Sequence, residues 1–275
     1  MVDARVGAPI RVAAKVVALR DEGGANRRLT LHVEGWPGFE PGQFVMLSPG
    51  PLGEVTRSDP LLPRPMAVYR QERADGGARV EILFKRHGRG TALLAGCLPG
   101  QRVRLLGPLG RPFPAPVEGE RAVLVAGGTG IASILELASR LAARGRAVQV
   151  LLGARSASDL MGEADFEALG IPLEIATEDG SRGRRALVTE LLEAALLDPA
   201  PARVYACGPT PMMRRAAEIA AAHGRRCVVS LENPMACGFG VCLGCAAPLR
   251  RGGFALVCRD GPVFDAAEID WEGLA

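Results

Sequence analysis

The chain has 275 residues, 48% hydrophobic and 4% aromatic, with 33 Lys+Arg against 30 Asp+Glu and a net charge of +3. That is apolar material for two domains plus a small module, with no basic concentration that would favour nucleic acid and no eighteen-residue apolar run that would span a membrane. Seven cysteines, an odd number with four at metal spacing, argue against a secreted disulfide framework; with no leader-like N-terminus, the expectation is a soluble cytoplasmic protein.

The first part of the chain reads as β-rich. Short Val/Leu/Ile-rich segments at 10–19, 28–34, 43–48, 66–70, 79–85 and 102–106 are separated by turn signals such as Gly23-Gly24, Pro41-Gly42, Asp75-Gly76-Gly77 and Pro99-Gly100. Six such strands predict a small antiparallel β-barrel, with a domain over 1–110. A Pro-rich linker at 108–120 follows, and the period then changes. Strands at 121–126, 147–152, 172–176 and 203–207 alternate with helices at 131–144, 158–169, 186–197 and 211–223. That rhythm predicts an α/β doubly wound parallel sheet over 118–228. The remainder, 229–275, abandons it and forms a small C-terminal module.

Three turns of this chain suit phosphates or nucleotides. Gly127-Gly128-Thr129-Gly130 joins a buried strand to a helix, where glycine admits a close ligand and free N–H groups face a pyrophosphate. The pattern is not G-x-G-x-x-G, so a plain tight turn stays open as a reading. Cys207-Gly208-Pro209 ends another strand of the same sheet and shares its carboxyl-end crevice; alone, such a cysteine is more often a small buried hydrophobe, and its position rather than its chemistry singles it out. Gly88-Arg89-Gly90-Thr91 opens a short helical stretch, and Arg64-Pro65-Met66-Ala67 offers an arginine beside a rigid proline that could pair with a phosphate, although on these residues alone an ordinary exposed Arg before an edge strand is the better reading. His32, His87 and His223 are scattered and form no triad or metal set.

Cys237, Cys242, Cys245 and Cys258 carry the strongest signal. Their C-x4-C-x2-C spacing, with a fourth cysteine twelve residues on, is the plant-type pattern for a [2Fe–2S] cluster. Glycines at 238, 240 and 244 let the loop wrap a compact anion. Structural zinc is the rival, but a zinc ribbon presents two C-x2-C knuckles and only Cys242 and Cys245 make one here.

Together these motifs resemble the ferredoxin–NADP reductase superfamily. The resemblance implies an FAD-binding barrel, a nicotinamide-nucleotide domain and a redox enzyme. Its R-P-x-S motif is similar to Arg64, Pro65, Met66 and Ala67, with alanine in the serine position. Leu83, Phe84, Lys85, Gly90 and Thr91 would line the FAD. Its G-G-x-G-x-A-P turn is similar to Gly127, Gly128, Thr129, Gly130, Ile131, Ala132 and Ser133, with serine for proline. Cys207, Gly208 and Pro209 would stand beside the nicotinamide, with Cys207 assigned to the catalytic centre. One branch resembles the chain throughout: the electron-transfer subunits of heteromeric, NAD-dependent dihydroorotate dehydrogenases. That implies an FMN-containing catalytic subunit as partner, two copies of each in a heterotetramer, and flow from dihydroorotate through FMN, [2Fe–2S] and FAD to NAD+. It favours NAD, although Gly153-Ala154-Arg155-Ser156 places an Arg and a Ser where a 2′-phosphate could be met. Another flavin/iron–sulfur reductase is the nearest alternative, and a zinc-stabilised binding module the alternative of another class.

Overall fold

The computed structural model describes residues 7–53 and 60–274. The N-terminal part is an antiparallel sheet of β1 (Ile10–Asp21), β2 (Asn26–Glu34), β3 (Phe44–Leu47), β4 (Arg64–Ala67), β5 (Arg70–Ala74), β6 (Gly77–Lys85) and β7 (Arg102–Leu109), with α1 (Gly88–Leu94) before β7. Its spatial order is β4-β3-β7-β1-β2-β6-β5. The two edge strands are consecutive in the chain, so the sheet must curl. Between them the Val68 N–H donates to the Gln43 carbonyl (3.3 Å) and the Tyr69 N–H to the Glu81 carbonyl (2.9 Å), spanning the gap. The single strand expected at 66–70 is therefore two: the chain leaves β3 and joins β6 at residues 68–69, giving seven strands instead of six. Alternate residues point inward, and Val16, Leu29, Leu31, Val45, Val80, Ile82 and Leu105 fill the interior.

The second sheet comprises β8 (Arg121–Gly127), β9 (Val148–Ala154), β10 (Leu173–Thr177), β11 (Arg184–Arg185), β12 (Ala202–Cys207) and β13 (Arg226–Ser230), all paired in parallel. α2 (Leu135–Ala143) and α3 (Glu163–Glu167) cover one face; α4 (Val188–Leu196) and α5 (Thr210–Ala222) cover the other. With both faces covered, β8 is buried at every position after Arg121. Two expected helices are shorter than their pattern. The one at 131–144 opens with a 3-10 turn over Gly128–Ser133. The one at 158–169 is broken: Gly162 stands at φ 67°, and Asn26 of β2 donates to the Ser158 and Leu160 carbonyls (3.2 Å each) that a helix would have used.

β13 was not anticipated, and it explains how the last segment attaches. That segment holds β14 (Ala246–Pro248), β15 (Phe254–Leu256), α6 (Val257–Asp260) and β16 (Val263–Asp265). β16 pairs antiparallel with β13 and becomes the seventh strand of the parallel sheet, in the order β11-β10-β9-β8-β12-β13-β16. The cysteine-bearing segment is thus stitched to the nucleotide sheet.

The barrel and the α/β sheet meet along a charged seam. The Arg28 guanidinium, 8% exposed, donates to Glu22 (2.6 Å), Glu81 (3.1 Å) and Asp165 of α3 (2.5 Å). Asp165 also accepts from the Tyr69 hydroxyl (2.8 Å) and from Arg70 (2.9 Å). Burial pushes the Asp165 carboxyl up, but the Arg28 and Tyr69 hydrogen bonds and both arginine charges outweigh it and hold it below the ordinary range.

Candidate functional site

Two cavities and one loop lie in a row across this molecule. The first cavity, ≈ 410 Å³, opens at the carboxyl ends of β8, β9 and β12, where an open parallel sheet takes its ligand. Gly127, Gly128 and Pro209 line it, with Gly153, Arg155, Met212 and Glu178. Gly128 is left-handed (φ 56°), and a side chain there would meet nothing within 4 Å, so its backbone is bare toward the cleft. Gly130 faces the other way. A Cβ on it would lie 2.3 Å from the Cys207 carbonyl, and one on Gly208 would lie 2.8 Å from the Gly127 carbonyl. The two turns are therefore pressed against each other, and glycine is what lets them touch.

Cys207 lies inside that contact, 1% exposed, with its thiol directed at the Ser230 carbonyl (3.6 Å). Burial pushes the thiol up to about 12, so it is neutral at ordinary pH. It lines neither cavity and is packed in the wall between them.

The second cavity, ≈ 330 Å³, lies across that wall. Arg64, Pro65, Met66 and Ala67 of β4 form one side, Leu83, Phe84 and Lys85 at the end of β6 another, and Thr91 of α1 a third. Gly90 sits beneath the Arg64 guanidinium; a Cβ there would lie 2.5 Å from its Nε, so only glycine lets the arginine lie flat. Arg64 itself donates to the Leu62 carbonyl (2.7 Å). The Thr91 hydroxyl accepts from the His87 N–H (2.7 Å) and donates to the His87 carbonyl (2.5 Å), tying down the start of α1. Thr129 and Ser133 close the cavity from the α/β side. Ala67 and Ser133, the two departures from the family motifs, face this same space, one without a hydroxyl and one with it.

Sequence reasoning did not assign several residues here to a site. Glu232 and Asn233 line the second cavity; crowding by protein raises the Glu232 carboxyl above its usual range, while a hydrogen bond with Thr129 pulls it down. Asn26 and Asp159 line the first. Arg155 and Asp159 share no helix, so their spacing gave no signal for the latter. Nothing local marked Asn26, whose partners are more than 130 positions away.

Met235 lines the second cavity and Cys237, two residues on, begins the cysteine loop. Gly238 (φ 85°) lies against the barrel; a Cβ there would come within 2.5 Å of Met46 Cγ. The four cysteines stand as two pairs. Cys245 and Cys258 bring their sulfurs to 3.2 Å, and Cys237 meets the Cys242 side chain. Among the described residues, no group of three or more His, Cys, Asp or Glu closes round one point. Two pairs of thiols are a donor set suited to two irons, and the surrounding N–H groups suit thiolates. The Gly240 N–H donates to Cys258 Sγ (3.1 Å) and the Cys258 N–H to Cys245 Sγ (3.4 Å). At Cys237 burial raises the thiol, but N–H groups from Cys242, Phe239 and Val241 overcome it and bring it down to about 6. The residues present therefore fit an iron–sulfur cluster.

A curled antiparallel sheet, a doubly wound nucleotide sheet and an iron–sulfur loop define an oxidoreductase of the ferredoxin-reductase type. Residues 232–270 match the iron–sulfur cluster binding domain of dihydroorotate dehydrogenase B, and residues 124–218 an oxidoreductase NAD-binding domain. The dihydroorotate dehydrogenase B (NAD(+)) electron transfer subunit of Bacillus caldolyticus is 40% identical over 234 residues, 84% of this chain and 86% of that one. A probable counterpart in Methanopyrus kandleri is 39% identical over 259 residues, covering 94% and 92%. A solved NADH-dependent reduced ferredoxin-NADP oxidoreductase, described for flavin-based electron bifurcation, superposes with a TM-score of 0.81 at 27% identity, covering 96% of this chain and 91% of that one. The chain belongs to the family of dihydroorotate dehydrogenase B electron transfer subunits.

Proposed function

We propose that this chain carries electrons between a [2Fe–2S] cluster and NAD+ by way of FAD, serving a separate FMN-containing subunit that oxidises dihydroorotate to orotate. The observation that carries this reading is the contiguity of the sites: dinucleotide cleft, glycine-tight wall, flavin cavity and cysteine loop follow one another without a gap. A bound flavin supplies the needed conversion, since it exchanges two electrons as hydride with nicotinamide and single electrons with a cluster.

The chain's own residues do the positioning. The bare backbone at Gly128 admits the dinucleotide, and the Gly130–Cys207 contact keeps the wall thin. Arg64 brings positive charge to a flavin phosphate, supported by Gly90. Cys237 and Cys242 would hold one iron, Cys245 and Cys258 the other.

For the partner, the outer side of the cysteine loop is the fitting surface. An apolar groove of ≈ 650 Å³ runs beside Cys237, walled by Met46, Leu106, Leu109 and Phe239. Phe239, Val241 and Leu243 are exposed on the loop, at 52%, 71% and 63%, where burial against a catalytic subunit would bring its FMN near the cluster. A heterotetramer of two subunits of each kind accords with this placement. Among the described residues no helix is long and apolar enough to cross a membrane, and none of the seven cysteines is in a disulfide, which supports a reducing, cytoplasmic setting.

The test is a visible spectrum of the purified protein before and after anaerobic NADH. Flavin bands over broad cluster absorption, bleached by NADH, are expected. A colourless protein carrying zinc, from a preparation in which cofactor loss had been excluded, would overturn the reading.

A further inference from the structure

The charges of the dinucleotide cleft are arranged in a way the relay does not require. Lys85, Arg155 and Arg215 line it, and each already faces a carboxylate. Lys85 Nζ donates to Asp159 Oδ1 at 2.5 Å, and Arg155 Nε stands 3.4 Å from Asp159 Oδ2. Arg215 lies 3.4 Å from Glu218. Asp159 thus holds two cations at once, one from the barrel and one from the end of β9. Its own side chain is only 21% exposed, whereas that of Arg155 is 73% exposed.

The second acid of the cleft is arranged differently. The Glu178 N–H donates to the Ala154 carbonyl (3.1 Å), which sets the residue across the carboxyl end of β9. Its carboxylate is exposed and has no hydrogen bond or ion pair among the described residues. In a doubly wound sheet the adenosine ribose of a dinucleotide lies beyond this second strand, and a free carboxylate there accepts ribose hydroxyls. A 2′-phosphate at the same place would set its negative charge against Glu178, with Arg155 already paired to Asp159.

On the reading of this cleft as the dinucleotide site, we propose that Asp159 is a charge lock: by holding Lys85 and Arg155 it denies them to a 2′-phosphate, and with Glu178 it makes the cleft selective for a dinucleotide whose adenosine ribose carries a free 2′-hydroxyl. Arg155-Ser156, which in sequence alone suits a 2′-phosphate, is thereby turned to the opposite preference. Asp159 acts through the cations it holds and is a positioning residue.

The experiment is calorimetric titration of the intact protein, with its cofactors, using ADP-ribose and 2′-phospho-ADP-ribose. Neither probe carries a nicotinamide, so binding is read apart from electron transfer. The wild type is expected to bind ADP-ribose more tightly. Asp159→Asn is expected to raise affinity for 2′-phospho-ADP-ribose about tenfold, while ADP-ribose changes by less than about threefold, and the gain should shrink as salt is added. Glu178→Gln, at an exposed position that the fold does not depend on, is expected to move the ratio in the same direction. An unchanged ratio in Asp159→Asn, whatever Glu178→Gln does, or an equal loss of both ligands in Asp159→Asn with no shift in Glu178→Gln, would overturn the lock. Failure of both probes to bind the wild type would overturn the cleft reading itself, and the lock with it.

Discussion

The charged seam and the cysteine loop both join the barrel to the rest of the molecule, by opposite means. The seam is made of ions: Arg28, Arg70, Tyr69, Glu81 and Asp165 satisfy one another in a part-buried cluster. The loop meets the barrel through a glycine, Gly238 against Met46, and turns its large apolar residues outward. A buried ion cluster gives a single geometry, because any misfit strands a charge. A glycine contact gives only closeness. The difference shows in what each joint does: the seam holds the second cavity against the first, while the loop stays beside the second cavity and leaves its apolar face exposed.

The largest effect should come from the loop. Cys258→Ala removes one of the closest thiol pair and is expected to abolish the cluster, read as loss of iron, sulfide and broad visible absorption, with FAD content retained. A full cluster spectrum in this variant would break the ligand assignment. At the seam, Asp165→Ala leaves Arg28 and Tyr69 without their shared acceptor and is expected to cost about 3–5 kcal/mol in denaturant unfolding. Arg182→Ala, removing an exposed pair with Glu163 on the same helix, should leave the unfolding midpoint unmoved.

The seam also has a pH signature. The Asp165 carboxyl is held below its ordinary 3.8 in the folded state. Its contribution is therefore fully present above that value and is lost as pH falls through the lower, folded one. Acid unfolding of the wild type should be steeper there than that of Asp165→Asn.

Smaller effects belong to the wall between the cavities. Gly130→Ala sets a methyl 2.3 Å from the Cys207 carbonyl and should cost about 1–3 kcal/mol through overpacking, with a raised KM for NADH. Cys207→Ala should be the milder of these two, about 1 kcal/mol from a small cavity. Because burial pushes that thiol up to about 12, the pH profile of flavin reduction by NADH should show no thiol ionisation near neutrality. An inflection near pH 8 that vanished in Cys207→Ala would overturn the packing role.

Periodicity and spacing made much of this molecule legible before any coordinates. Alternating apolar residues marked the barrel strands, because one face of a half-buried strand must be dry. Glycine turns marked the cleft, because a close backbone approach leaves no room for Cβ. The cysteine spacing marked the cluster-binding segment, because three of its four cysteines lie on one loop. What stayed hidden was whatever depends on distant partners. The helix expected at 158–169 is interrupted by Asn26, and the strand expected at 66–70 changes neighbours midway; both outcomes lie in long-range hydrogen bonds that no local pattern carries.

By itself, the order of residues determined the fold class and the family likeness, since each rests on local backbone periodicity or on motifs close in the chain. Tertiary structure alone decided that Cys207 is buried between the two cavities, that Glu232 and Asn233 face the second cavity, that β16 completes the parallel sheet, and that Asp159 pairs with both Lys85 and Arg155. Each of these is a contact between residues far apart in the chain, whose energy exists only once burial has stripped away the water that would otherwise satisfy them.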